Sequence, residues 1–359
     1  MPAKTPDKAA LRSRKSALPR GEAPPSIVTA GYAPLDIVRF RENRWYSAGG
    51  TAGNVAAILG FLGWSSSLVA DYGDDAAARR ITQDLQAANV SLQYVRLRAS
   101  AVTPRLVHDI DPTGHRFTFR CPDCQRGFPM SRPLTLARAQ EVIERTPKAD
   151  VFLFDRCNAG TLLLAEYFSA RGSLVVYEPS RPARPEWQDR ALKAADIVKC
   201  ASDRDGGLAD VVPRPKQTWI LTHGAAGISY CYGSSSSQRS PAFHYPVIDT
   251  AGAGDWTTAG VIHALAGRAP GRKAELTQAL HWAQALAAVS CGSPGARGLA
   301  RQQSAEAVVR AAQFVQARQG TPAPTHSPST RKSSTPRDVC KFCLQPQIAK
   351  RSEWEQAAG

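Results

Sequence analysis

Short, continuously apolar runs recur along this chain, separated by segments with helical spacing, and that alternation is what most limits the fold. Val151-Phe152-Leu153-Phe154 and Leu174-Val175-Val176-Tyr177 are four-residue runs with no polar face. They suit strands buried on both sides, which occur where a parallel sheet is covered by helices. Ser26 to Gly31, Ser67 to Tyr72, Ile197 to Lys199, Trp219 to Thr222 and Gly227 to Tyr232 read as further strands. Helical spacing covers Asn54 to Leu62, Ala76 to Ala88, Thr161 to Ala170, Thr257 to Ala266, Ala274 to Cys291 and Ala305 to Ala317. The chain is therefore expected to form an α/β domain around a mainly parallel sheet covered on both faces. One stretch departs from the alternation. Val102 to Ile110 and His115 to Phe119 read as a hairpin closed by Asp111-Pro112-Thr113-Gly114.

The ends of the chain have a different composition. Residues 1–25 lack apolar periodicity and read as a disordered basic tail, residues 318–338 as a flexible Pro/Ser/Thr-rich linker, and residues 339–359 as a cysteine-containing segment. Of the net charge of +15, each of these flanks (1–25 and 318–359) carries +4, so the intervening 26–317 region is only mildly basic. Such a balance suits an enzyme that handles anionic phosphates. No interleaving of aromatic and basic residues marks a nucleic-acid surface, so a nucleic-acid partner is not expected. No apolar run is long enough for a membrane span, and the basic N-terminus is not followed by an apolar leader core, so a cytoplasmic location is expected.

The chemistry concentrates in Asp249-Thr250-Ala251-Gly252-Ala253-Gly254-Asp255, which runs straight into a helix. Small residues there leave the first backbone N–H groups unobstructed, and with the helix dipole they form an anion hole. Gly252, Ala253 and Gly254 are its candidate donors. Asp255, at the rim, is placed to accept a hydroxyl proton, so the segment carries what phosphoryl transfer to an alcohol needs. Alone, it could equally be an ordinary helix start with a stabilising acidic residue. A second Gly-rich loop, Gly49-Gly50-Thr51-Ala52-Gly53-Asn54, leads into another helix and is followed by Val69-Ala70-Asp71-Tyr72-Gly73-Asp74-Asp75.

With these two blocks the sequence resembles the ribokinase-like, or PfkB, family of carbohydrate kinases over roughly residues 27–317. The resemblance implies a three-layer α/β/α sandwich with a small β-sheet lid, formed by segments near 36–48 and 101–120, that often pairs with a second subunit. It implies ATP and magnesium as cofactors, and a sugar or sugar-like acceptor, with a nucleoside as the alternative. Asp255 matches the catalytic base, and Gly252, Ala253 and Gly254 the anion hole. Asp36, Gly50 and Asn54 match acceptor-contacting positions, and Thr222 and Gly224 the strand end that borders the nucleotide. Asn54 could instead be a helix N-cap. The sequence also departs from the family. The usual N-x-x-E segment is replaced by Cys200-Ala201-Ser202-Asp203-Arg204, Glu178 stands for a commoner aspartate, and Trp256 follows the base where small residues are usual. The lost segment favours a rival reading, a catalytically weak kinase-like binding module, whereas the intact Asp255 block opposes it.

Two C-x-x-C pairs remain, Cys121/Cys124 after the lid hairpin and Cys340/Cys343 beyond the linker. Four thiolates are the number a tetrahedral structural zinc takes. Redox use of either pair is the rival reading, and plain thiols the third.

Overall fold

The computed structural model describes residues 23–318, apart from 112, 113, 147, 180, 204–207, 209, 210, 268, 271 and 272. The tail and linker expected at the ends therefore lie almost wholly outside the described residues, as do Cys340 and Cys343. In chain order the strands are β1 (Ser26–Ala30), β2 (Leu35–Phe40), β3 (Asn43–Ala48), β4 (Ser65–Gly73), β5 (Val90–Ser91), β6 (Val95–Arg98), β7 (Arg105–Asp111), β8 (Gly114–Thr118), β9 (Val151–Phe154), β10 (Leu174–Tyr177), β11 (Ile197–Ala201), β12 (Thr218–Thr222), β13 (Ile228–Tyr232) and β14 (Gln238–Ser240). The helices are α1 (Gly50–Phe61), α2 (Ala76–Ala87), α3 (Leu136–Arg145), α4 (Ala159–Ser169), α5 (Pro185–Ala194), α6 (Ala253–Ala264), α7 (Lys273–Ser290), α8 (Gly298–Gln302) and α9 (Ala305–Ala317).

The large sheet runs in the order β14-β13-β12-β11-β10-β9-β1-β4-β5, with β6 also pairing β4. From β12 to β4 every neighbouring pair is parallel, and the β12-β13-β14 edge is antiparallel. The apolar runs divide their side chains between two faces. Val151, Leu153, Leu174 and Val176 join a core with α1, α6, α7 and α9, whereas Phe152, Phe154, Val175 and Tyr177 pack with α3, α4 and α5. Side chains alternate across a strand, so a four-residue run supplies two residues to each core. The result is the expected three-layer α/β/α sandwich with a smaller second sheet.

That smaller sheet has the order β3-β2-β7-β8. Its hairpin, β7 with β8, is antiparallel, and β2 pairs β7 in parallel. Its root is tied to the body through Asp75, which caps α2 at the Ala78 N–H (2.9 Å), accepts from the Thr103 hydroxyl (2.7 Å) and pairs with the fully buried Arg105 (3.0 Å). Burial alone would raise the Asp75 carboxyl, but Arg105 and these hydrogen bonds outweigh it and hold it below the usual range.

Two helices begin earlier than their apolar spacing indicates. α1 starts at Gly50 instead of Asn54, and α6 at Ala253 instead of Thr257. In both, the first turn is made of small residues that carry no apolar signal. α3 and α5 escaped the sequence reading because each is charged and buries only a narrow stripe: Arg138, Ala139 and Val142 in α3, Ala191 and Ala194 in α5. Trp256 is fully buried, donates to the Ala296 carbonyl (2.9 Å) and meets Phe61 edge-on. It packs the core directly behind Asp255.

Candidate functional site

The parallel strands deliver their C-terminal ends to one edge of the sheet, where open α/β sheets place their ligand sites. Asp155 follows β9 there, and Glu178 follows β10. Lys199 lies in β11, and Thr222 ends β12. The start of α6 rests on this edge. A Cβ added at Gly254 would lie 3.4 Å from Lys199 Nζ and 4.0 Å from Glu178 Oε1.

Gly252 caps α6 in the left-handed conformation, at φ 79°, and an added Cβ would approach the Ala296 Cα to 2.5 Å. The loop can take this path only with glycine there. The Ala253 N–H turns back to the Thr250 carbonyl (3.2 Å). Among the three expected donors, Ala253 is therefore already engaged, and the Gly252 and Gly254 amides are the ones left for an anion.

Asp255 lies in the first turn of α6. Its Oδ2 accepts from Asn54 Nδ2 at 2.7 Å. Burial raises its carboxyl to about 6, and the nearby Glu178 charge adds to this. The Asn54 hydrogen bond, Lys199 and Thr51 pull the other way. Asn54 sits within α1, four residues from its start, so it is not a helix cap. Its side chain is oriented from behind: Arg297 Nε donates to Asn54 Oδ1 (3.1 Å), and Arg297 Nη2 donates to the Ala48 carbonyl (2.6 Å) and to Asp84 Oδ2. Asp84 also accepts from the Ala48 N–H (2.8 Å) and from Arg301 (2.7 Å). Burial would raise the Asp84 carboxyl, but the two arginines keep it below its usual range. A chain of polar contacts thus runs from Asp84 through Arg297 and Asn54 to Asp255.

Asp36, on β2, faces the same cleft. It is 6% exposed, and its Oδ1 has no hydrogen-bond partner among the described residues. Burial pushes its carboxyl up to about 8; Arg297 opposes the shift, and Asp255 and Asp84 add to it. The chain passes so close that a Cβ at Gly49 would come within 1.9 Å of Asp36 Oδ1. Gly50 follows at φ 68°, opening α1. Asp36, Gly50, Asn54 and Asp255 are thus gathered around one opening, although Asp36 and Asp255 lie far apart in sequence.

Thr222 and Gly224, expected to border the nucleotide, stand apart from this group. Thr222 is half-buried, with its hydroxyl 3.4 Å from the Cys200 carbonyl. Gly224 is exposed, in a short 3-10 turn at φ 56°. Both lie at the strand-end edge, beyond β11. Of the cysteine pairs, Cys121 is fully buried and Cys124 exposed. They form a tight turn in which the Cys124 N–H donates to Cys121 Sγ (3.5 Å) and the Gln125 N–H to the Cys121 carbonyl (3.0 Å).

Sequence reasoning missed five polar residues here. Lys199 is buried and donates to Glu178 Oε1 (2.5 Å), and the Thr258 hydroxyl donates to Glu178 Oε2 (2.5 Å). Asp155 accepts from the Tyr32 N–H (2.8 Å), and burial raises its carboxyl to about 6. Arg297 and Asp84 complete the set. A charge inside an otherwise apolar strand, as in Ile197-Val198-Lys199, was the available signal for Lys199; Arg297 and Asp84 had none.

Residues 155–303 match the family described as pfkB family carbohydrate kinase. A fructokinase of Klebsiella pneumoniae is 28% identical over 299 residues, covering 75% of this chain and 94% of the relative. An ATP-dependent ribose-1-phosphate kinase of Halopiger xanaduensis is 27% identical over 262 residues, covering 70% and 82%. Among solved structures, the aminoimidazole riboside kinase of Salmonella enterica, complexed with aminoimidazole riboside and an ATP analogue, superposes with a TM-score of 0.62 at 20% identity, covering 80% of this chain and 99% of the other. With the layered fold, the smaller second sheet and the strand-end cleft already in place, these likenesses show a chain with the ribokinase-like fold that is similar to the pfkB family of carbohydrate kinases, the family matched by residues 155–303.

Proposed function

We propose that the protein transfers the γ-phosphoryl group of ATP to a hydroxyl of a sugar, with a nucleoside as the alternative acceptor. The observation that carries this reading is the Asp36 carboxyl group, buried with an unpartnered oxygen and close enough to feel the Asp255 charge. A buried acceptor atom without a donor costs about 1–3 kcal/mol, and a polyol supplies the missing donors. The relatives named above, which act on fructose-type and ribose-type acceptors by name, lend the substrate class.

In this mechanism Asp36 and Asn54 orient the acceptor. Asp255 takes the proton of the attacking hydroxyl as its oxygen bonds to the γ-phosphorus and the bond to ADP breaks. The Gly252 and Gly254 amides, at the positive end of α6, face the charge that develops on the transferring group. Magnesium carried by the nucleotide would neutralise phosphate charge, and it takes much of its coordination from phosphate and water. Glu178 is poorly suited as its ligand, since Lys199 and Thr258 occupy both carboxylate oxygens. The Lys199 ammonium beside Gly254 instead supplies positive charge on the protein side.

A structural zinc on Cys121, Cys124, Cys340 and Cys343 belongs to the same proposal. Its support is the turn at Cys121, where an amide already donates to sulfur, an arrangement that favours the thiolate form. Less than a tenth of an equivalent of thiol-bound zinc in protein purified without chelators, with all thiols reduced, rejects it. Pairing of two copies through the lid is tested by sedimentation. No helix among the described residues is long and apolar enough to cross a membrane.

The deciding experiment for the reaction is ADP release across a panel of pentoses, hexoses and nucleosides. One acceptor should raise turnover well above the ATP-only rate. Acceptor-independent rates throughout, with ATP still bound, would favour the binding-module reading.

A further inference from the structure

Two histidines of the lid and the first residue of the anion-hole loop meet at a point the proposed reaction does not use. In the β7–β8 hairpin, His108 lies opposite Phe117 and Ile110 opposite His115. The period of two therefore puts both imidazoles on one face, the face shared with Asp36 and Val38 of β2, since Val38 lies opposite His108. The two rings stack edge-to-face with centroids 5.4 Å apart. Asp249 faces them with its side chain fully buried. Its Oδ1 is 3.3 Å from His115 Nδ1, and its Oδ2 is 3.6 Å from His108 Nε2. One donor atom from each of the three residues lies within 4.8 Å of the other two.

We propose that His108, His115 and Asp249 bind a transition-metal ion of the zinc type that clamps the lid to the loop carrying Asp255. Four observations support a built site. His108 is 1% exposed, and its Nε2 has no hydrogen-bond partner among the described residues. A buried ring nitrogen left in that state is unfavourable unless something occupies it. The carboxylate is itself fixed by backbone hydrogen bonds, from the Ala251 N–H to Oδ1 (3.0 Å) and from the Gly295 N–H to Oδ2 (2.8 Å), as metal-ligating carboxylates usually are. The donor spacings suit the ion as well. Bonds of about 2.0–2.2 Å in a tetrahedron put ligand atoms about 3.3 Å apart, the distance at which Asp249 Oδ1 stands from His115 Nδ1, and His108 Nε2 is 3.6 Å from the other oxygen of the same carboxylate. Finally, two imidazoles and one carboxylate select zinc, cobalt or nickel over magnesium, which prefers all-oxygen sites. The nucleotide's magnesium is thus a separate ion.

Three protein ligands leave one coordination position for water or a ligand oxygen. The donors come from β7, β8 and the loop at 249, so the ion joins parts of the chain more than 130 residues apart in sequence. Its binding should hold the small sheet down on the body and slow release from the cleft.

The test is calorimetric titration of chelator-treated full-length protein with zinc chloride. It compares the wild type with His115→Ala and His108→Ala in a Cys340→Ser/Cys343→Ser background, which removes the thiol site from the count. His115 is partly exposed, so His115→Ala should fold even if His108→Ala does not. The expected result is one equivalent in the parent and a weakening of at least about 100-fold in His115→Ala, since loss of a direct ligand should match or exceed loss of an outer-shell partner. Cobalt should give the visible absorption of a nitrogen- and oxygen-ligated four-coordinate ion in the parent and not in the variant. Absence of binding by the parent, or unchanged stoichiometry and affinity in His115→Ala, overturns the proposal.

Discussion

Replacing the proposed base with its uncharged isostere, Asp255→Asn, should make the protein more stable while nearly abolishing turnover. The folded carboxyl titrates near 6 against an ordinary 3.8, because burial and the neighbouring Glu178 charge disfavour the ionised form. A raised carboxyl pKa means that the folded chain holds the proton more tightly than the unfolded chain does. The stability linked to that proton is complete below about pH 4 and is lost as the pH rises through about 6. Two pKa units correspond to about 3 kcal/mol. Asp255 is of intermediate exposure, and solvent there reduces the figure to ~1–2 kcal/mol. Asparagine carries no charge, and its carbonyl can still accept from Asn54. At pH 8 the variant should therefore melt ~2–6 °C above the wild type, and at pH 4 the difference should vanish. Scanning calorimetry across that range reads the first effect, and the ADP-release assay reads a loss of ~100-fold or more in turnover. An Asn variant less stable than wild type at pH 8 refutes the buried-charge argument. Near wild-type turnover removes Asp255 from the chemistry.

Three further perturbations test the surrounding framework. Arg297→Met breaks a buried pair and leaves Asn54 without the donor that orients it; a loss of ~3–5 kcal/mol in urea unfolding is expected, with turnover falling too, and an unchanged midpoint would show that Arg301 alone holds Asp84. Gly252→Ala forces a side chain into left-handed backbone against Ala296, at ~1–2 kcal/mol from the backbone alone; the melting temperature and turnover should both fall, and an unaffected enzyme would mean that the loop does not receive the phosphoryl group. Asp36→Ala should weaken acceptor binding by ~1.5–3 kcal/mol, roughly 10–150-fold, with ATP affinity nearly unchanged; titration calorimetry showing the reverse would misplace the lid.

The sequence by itself determined the layers and where the candidate site begins. Val151–Phe154 and Leu174–Tyr177 suited strands covered on both sides, because a strand presents alternate residues to opposite faces and neither face was polar. The small residues from Ala251 to Gly254 already announced an unobstructed helix start with Asp255 in its first turn. These features are local, set by side-chain period and backbone freedom within a few residues. What tertiary structure alone decided is which distant charges meet. Asp36 became an orphan carboxylate because β2 folds over Gly49. Asn54 became the partner of Asp255 because Arg297, 243 positions along the chain, holds its other end. Lys199 found Glu178 only when β10 and β11 lay side by side, and His108 reached Asp249 only when the lid lay down on the loop. Their sequence neighbours carry no trace of these pairings, because a buried charge is stabilised by whatever the fold brings within a few ångströms, at any distance along the chain.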